Sequence, residues 1–213
     1  MDMRLSEIML SLQGEGKQTG KLTTFVRFYG CNLKCTYCDT LYAVEEDKYV
    51  NTDMDEILAT VREIGAKNIC LTGGEPLYRE GIYDFIFKLE EEGFIVVIET
   101  NGAMELRDIR DRKFIYCMDV KCPSSGMHDL MNLDNLSILL PQDEVKFVIS
   151  DRLDYEFAKD IIAKYPTKAD IIFSPVFESD RTTNAGQLAS WIIEDKLNGV
   201  RLGLQMHKLI NIY

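Results

Sequence analysis

The sequence predicts an α/β fold in which parallel strands, with helices outside them, roll into an open partial barrel. Three observations carry that expectation. Apolar strand-like runs alternate with amphipathic helical runs along almost the whole chain, which implies parallel pairing through right-handed crossovers. The six or seven strands so marked are too few for a closed eight-fold barrel. The loops of unusual composition all follow strands: GCNLKCTYCDT, TGGEP, ETNG, DVKCPSSG, SPV and QMHK. In parallel α/β folds such loops gather at the carboxyl edge of the sheet, so these six segments are expected to share one mouth.

Taken in order, residues 23–29 (TTFVRFY) read as the first strand, ending at Gly30. Met54, Ile57, Leu58, Val61 and Ile64 repeat at helical spacing, with Thr52 as the expected cap and Gly65 as the stop. Residues 68–72 form a short buried strand before Gly73-Gly74. Ile82, Phe85, Ile86 and Leu89 mark the next helix, closed by Gly93. Strands follow at 94–99, 114–120 and 144–149, then a helix over 154–164, a strand at 170–173, a helix over 185–195 and a strand at 200–204. In the helix over 185–195, Trp191 lines up with Leu188 and Ile192 as a core stripe. The connection at 41–52 is short and is expected to be compact. Residues 127–142 have weak periodicity, so a crossover helix is expected to be shortened or missing there. No repeat, Pro-rich linker or low-complexity tract divides the 213 residues, and one domain over 1–213 is expected.

Composition narrows the partners. With 24 Lys+Arg against 35 Asp+Glu the formal charge is -11, and no broad phosphate-neutralising surface is expected, which excludes nucleic acid as the main partner. A small anionic ligand held by one or two local cations stays open. No apolar stretch approaches the roughly 20 residues that span a bilayer, and the first residues lack the succession of a signal peptide. A cytoplasmic location without membrane attachment is therefore expected. In a reducing compartment the six cysteines point to metal binding or catalysis before disulfides.

Cys31, Cys35 and Cys38 form C-x3-C-x2-C in a single polar loop with Asn32, Lys34, Thr36 and Asp39. Structural zinc wants four closed ligands, usually as two separated C-x2-C pairs. No second pair exists, though Asp39 or a distant His keeps zinc open as an alternative. An iron–sulfur cube normally takes four thiolates, so three leave one iron available for a substrate or cofactor. Cys70 and Cys117 lie in apolar strands and are expected in the core; Cys122 is expected to be a bystander.

C-x3-C-x2-C after a first strand, joined to GGEP at 73–76 after the second, resembles the radical S-adenosylmethionine (SAM) superfamily. That resemblance implies a 4Fe-4S cluster on Cys31, Cys35 and Cys38, with SAM chelating the open iron. It also implies one-electron cleavage of SAM to a 5′-deoxyadenosyl radical. LQGEG at 12–16, Arg27 in FVRFYGC, CDT at 38–40, TGGEP, ETNG and QMHKLINIY run from near the first residue to the last. Together they are similar to the 7-carboxy-7-deazaguanine synthase family, which converts 6-carboxy-5,6,7,8-tetrahydropterin to 7-carboxy-7-deazaguanine with release of ammonia. The family implies a (β/α)6-type barrel, magnesium, a homodimer, and flavodoxin or ferredoxin as electron donor. The product feeds queuosine-type 7-deazapurine biosynthesis.

Carried onto this chain, the resemblance places Tyr37, Cys38, Asp39, Gly74, Asp119, Val120, Lys121 and Ser174 against SAM, with Tyr37 near the adenine. It places Thr40 on magnesium, and Leu12, Gln13, Gly14, Arg27, Thr72, His207 and Tyr213 on the pterin. Glu99 and Arg27 become the catalytic residues: Arg27 offers a planar fork to the substrate carboxylate, and Glu99 holds the guanidine-like edge or moves a proton. Gly73 and Gly74 are expected to admit the methionine end of SAM. Each has a plainer alternative. Glycines and Glu75-Pro76 suit an ordinary strand-to-helix turn, the Thr40 hydroxyl suits its own loop backbone, and Arg27 suits a half-solvated strand. His128 has no such context and is assigned nothing. The rival functions are a glycyl-radical activase, which shares the cysteine loop, and a non-catalytic zinc module.

Overall fold

The computed structural model describes residues 2–45, 48–177 and 184–212. Strand β1 (Asp2–Leu12) runs antiparallel to β2 (Leu22–Phe28), and a four-residue helix α1 (Tyr42–Glu45) precedes β3 (Val50–Asp53), which pairs antiparallel on the far side of β1. Helix α2 (Met54–Ile64) then leads to β4 (Asn68–Gly73), and α3 (Ile82–Glu91) to β5 (Ile95–Thr100) and β6 (Ile115–Val120). After β7 (Glu144–Ile149) come α4 (Arg152–Lys164), β8 (Asp170–Pro175), α5 (Ala185–Glu194), β9 (Val200–Leu202) and α6 (Met206–Ile210). All nine described strands form one sheet, in the order β3-β1-β2-β4-β5-β6-β7-β8-β9. From β2 to β9 every pairing is parallel, and the two edges do not pair with each other. The sheet is an open α/β barrel extended at one edge by an antiparallel pair.

The seven expected strands and four expected helices are all present within a few residues of their expected bounds. Strands β1 and β3 and helices α1 and α6 were not expected. β1 escapes a βαβ reading because it returns as a hairpin partner of β2, a pairing that needs no crossover helix. The cap of α2 is corrected from Thr52 to Asp53, whose carboxylate accepts from Asp55 N and Glu56 N in a capping box with Glu56. Gly65 ends that helix in the left-handed conformation, at φ 77°. The 127–142 connection holds only short 3-10 turns, as the weak periodicity implied. Asn135 substitutes for a packed helix there, donating to the carbonyls of Gly102 and Met104 and accepting from Leu106 N.

Period-2 alternation sorts each parallel strand into two layers. Val26, Phe28, Ile69, Leu71, Val96, Ile98, Tyr116, Met118, Val145, Phe147 and Phe173 turn outward into one core. Against them pack Ile57, Leu58 and Val61 of α2, Phe85, Ile86 and Leu89 of α3, Tyr155, Ala158 and Ile161 of α4, and Leu188 of α5. Trp191 and Ile192 lie against that core, partly buried. The intervening residues face inward, and they are mostly polar. Arg27 is level with Thr72, and Asp119 with Lys146, across adjacent strands. Cys70 and Cys117 belong to this inner layer, below Thr72 and Asp119; Cys122 is fully buried in the outer core. A desolvated ion pair, Arg112 with Asp143, anchors the amino end of the sheet, where Asp143 also accepts from Tyr116 N and Leu140 N.

Candidate active site

Inside the barrel lies a cavity of about 830 Å³, and all six unusual loops contribute to its lining. Its floor comes from elsewhere. The connection after β1 crosses the amino ends of the strands, where Lys17 N reaches the Glu144 carboxylate and Lys17 Nζ pairs with Asp170 at 3.2 Å. Gln13 is thereby held inside, 5% exposed. Its Oε1 accepts from Gly14 N at 2.8 Å, and its Nε2 donates to Glu99 Oε1 at 3.2 Å. The Thr72 hydroxyl donates to the other Glu99 oxygen at 3.0 Å. Beside them Arg27 Nε donates to Glu7 of β1 at 2.7 Å, and Tyr42 OH donates to the same oxygen at 2.8 Å. Burial lowers the Arg27 pKa, but Glu7 more than offsets it, so the guanidinium stays charged.

The amino end of α6 closes one wall. Met206 N donates to Gly14 O at 2.9 Å, and a Cβ on Gly14 would collide with the His207 ring, so this glycine gives the tail its docking place. Burial holds the His207 imidazole below its usual pKa, against the pull of Glu15, which leaves it neutral at pH 7. Lys208 bridges to Asp39 of the cysteine loop at 2.9 Å.

The cysteine loop is pinned by GGEP. Gly74 N donates to Phe28 O and Glu75 N to Gly30 O, both at 3.0 Å. A Cβ on Gly74 would lie 2.8 Å from Cys31 N and closer still to Gly30 O. What a side chain at 74 would block first is therefore the loop's own backbone; Gly74 also lines the cavity. Glu75 is fully buried, caps the 3-10 turn at Pro76–Tyr78 through Leu77 N, and accepts from the Thr100 hydroxyl and Asn101 N. Burial pushes its carboxyl up to about 7 despite those donors. Cys31, Cys35 and Cys38 are free, half-buried thiols. Cys31 Sγ accepts from Leu33 N at 3.4 Å and from Asn101 Nδ2 at 3.5 Å, and Cys38 Sγ lies 3.7 Å from the Thr40 hydroxyl.

An ionic chain lines the wall made by β6 and β7. Lys121 pairs with Asp119 at 2.7 Å, Asp119 with Lys146 at 3.1 Å, and Lys146 with Glu15 at 2.9 Å; Gln205 Nε2 donates to the remaining Glu15 oxygen at 2.8 Å. Burial works against ionising both carboxylates. Lys121 and Lys146 outweigh it at Asp119, and Lys146 with the Gln205 amide at Glu15, holding both below the usual carboxylate range.

Residues 25–138 match the Radical SAM superfamily. A 7-carboxy-7-deazaguanine synthase of Koribacter versatilis is 40% identical over 98% of this chain and 96% of its own length. One from Clostridium acetobutylicum is 39% identical over 99% and 96%. The chain belongs to the 7-carboxy-7-deazaguanine synthase family. The crystal structure of QueE from Escherichia coli shares the fold, with a TM-score of 0.75 at 24% identity over 97% of this chain and 95% of that one. Streptococcus suis SuiB bound to S-adenosylmethionine is more distant, at a TM-score of 0.58 over 82% and 48%.

Family membership removes the activase and zinc-module alternatives and implies a 4Fe-4S cluster and SAM. The residues fit both. A cube takes one thiolate per iron, and Cys31 already carries two N–H donors aimed at its sulfur. The Tyr37 hydroxyl beside the cavity is buried without a hydrogen-bond partner among the described residues, a polar group left for a ligand to satisfy.

Leu12, Gln13, Gly14, Arg27, Tyr37, Asp39, Thr40, Thr72, Gly74, Glu99, Asp119, Lys121, Ser174 and His207 all line this one cavity with the three cysteines. Val120 does not: the alternation that turns Asp119 inward sends its side chain into the outer core, leaving only its backbone toward the site. Tyr213 lies outside the described residues. Glu15, Lys146, Gln205, Asn101 and Glu7 are functional candidates that the sequence reading left unassigned. Lys146 had a signal, a lone lysine in the apolar run EVKFVI, and Asn101 stood within ETNG.

Proposed function

We propose that this chain contracts the ring of 6-carboxy-5,6,7,8-tetrahydropterin to give 7-carboxy-7-deazaguanine and ammonia. The observation that carries this reading is the junction of two half-sites in one cavity: the three-cysteine loop above, and Gln13, Thr72, Glu99 and Arg27 below it. Cys31, Cys35 and Cys38 hold the cluster, while Tyr37, Asp39, Gly74, Asp119, Lys121 and Ser174 surround SAM. When bound, cluster and SAM supply a radical that abstracts hydrogen. The protein's own groups do the rest. Gln13 and Thr72 fix the Glu99 carboxylate, whose remaining lone pairs take the guanidine-like edge of the pterin. Arg27, oriented by Glu7, turns its fork to the substrate carboxylate. His207 contributes a neutral imidazole from the docked tail.

Thr40 would offer one oxygen to Mg²⁺, a hard cation that prefers oxygen ligands. The reading includes a homodimer, a flavodoxin or ferredoxin donor and a cytoplasmic location, each implied by the family resemblance. No described helix is long and apolar enough to cross a membrane.

The test is anaerobic incubation of the reconstituted protein with SAM, dithionite, Mg²⁺ and the tetrahydropterin, with the product followed by mass. Formation of the deazaguanine with ammonia is expected; SAM cleavage without it would reject the substrate. Arg27→Ala is expected to lower kcat/KM for the pterin roughly 10- to 100-fold, the loss of one charged hydrogen-bond pair. Uncoupled SAM cleavage should change far less, and equal losses would take Arg27 out of the substrate site. Added Mg²⁺ should stimulate the wild type more than Thr40→Ala, as read from initial rates; equal stimulation would move the cation elsewhere.

A further inference from the structure

The TNG residues of ETNG have no part in the reaction as described, yet they tie three loops together. The Thr100 hydroxyl and Asn101 N both donate to Glu75, at 2.9 and 2.6 Å. Gly102, at φ 75°, brings the turn so close to β6 that a Cβ there would lie 2.8 Å from Asp119 O. Asn101 is 7% exposed, and every polar atom of its side chain is used. Its Oδ1 accepts from Ala103 N at 3.0 Å, and its amide donates one hydrogen to Asn32 Oδ1 at 2.7 Å and the other to Cys31 Sγ at 3.5 Å. A buried amide with both ends fixed cannot turn away from that sulfur.

We propose that Asn101 is a positioning residue that sets the reduction potential of the cluster, by donating its side-chain amide to the Cys31 sulfur. This rests on the reading of Cys31, Cys35 and Cys38 as cluster ligands. The physical basis is charge. Reduction adds an electron to the cluster and its thiolates, and an N–H pointed at a thiolate sulfur stabilises the more negative state. Glu75 acts one step further back, its carboxylate gripping Asn101 N and so holding the amide in place.

The test is a redox titration of the reconstituted cluster, followed by its electron paramagnetic resonance signal. Asn101→Ala is expected to shift the midpoint to more negative potential, and Asn101→Asp further still, because a carboxylate replaces the donor. Iron and sulfide content should match the wild type. An unchanged midpoint in an intact Asn101→Ala cluster would overturn the proposal. Should neither variant hold a cluster, the wild type decides: with asparagine labelled by ¹⁵N at the side-chain amide, pulsed resonance of the reduced cluster should show a weakly coupled ¹⁵N nucleus. Its absence would equally reject Asn101. A wild-type protein that takes up no four-iron cluster would instead remove the cluster assignment itself, a distinguishable failure.

Discussion

Cys35→Ala is expected to abolish reductive SAM cleavage while the protein keeps its fold. Cys35 lies in the middle of the C-x3-C-x2-C loop, and its half-buried thiol is not part of the outer core among the described residues. The loop is secured through backbone groups and small residues: Glu75 N to Gly30 O, Thr36 N to Ser125 O, and the Gly74 contact. Removing one half-buried sulfur should therefore cost less than about 1 kcal/mol of stability. Catalysis is another matter, because two thiolates cannot grip a cube that must also leave one iron open for SAM. The check is 5′-deoxyadenosine formation under dithionite, beside a thermal melt of the same preparation. Undiminished 5′-deoxyadenosine would reject the cluster assignment; a collapsed melt would show that the loop matters to folding.

Lys146→Met should damage stability and function together. Lys146 is 13% exposed at its side chain and lies between Glu15, at 18%, and Asp119, at 20%. Methionine leaves both carboxylates facing each other across a hole of low polarity. Breaking a buried pair in this way costs about 3–5 kcal/mol, read from denaturant unfolding. The pH dependence follows from the depressed carboxylates. Asp119 and Glu15 ionise more readily in the folded chain than in the unfolded one, where their values are roughly 3.9 and 4.3. Their contribution is thus fully present above those unfolded values and is lost as pH falls through the lower folded ones. The wild type should lose stability steeply in acid, and Lys146→Met much less so. Parallel acid curves for the two proteins would show that the chain of charges carries little of the stability.

Several features needed no tertiary information. The cysteine spacing, the strand-to-helix alternation and the placement of odd loops after strands are local properties of the chain, and parallel topology alone brings such loops to one edge. Helix α2, with its apolar stripe and Gly65, and the weakly periodic 127–142 segment could be read the same way. What only the folded chain decided is how distant charges meet. Lys146 in EVKFVI, Glu15 in LQGEG and Asp119 in DVK each read alone as ordinary; they form one chain because the sheet register sets Asp119 level with Lys146 while the β1–β2 connection passes beneath. The hairpin β1, which delivers Glu7 to Arg27 and Gln13 to Glu99, was equally hidden, since antiparallel return carries no signature in a βαβ rhythm. Spacing along a chain is fixed by covalent bonds, so sequence shows it. Proximity across the sheet depends on register and on which face each side chain takes, and those are set by burying the whole core at once.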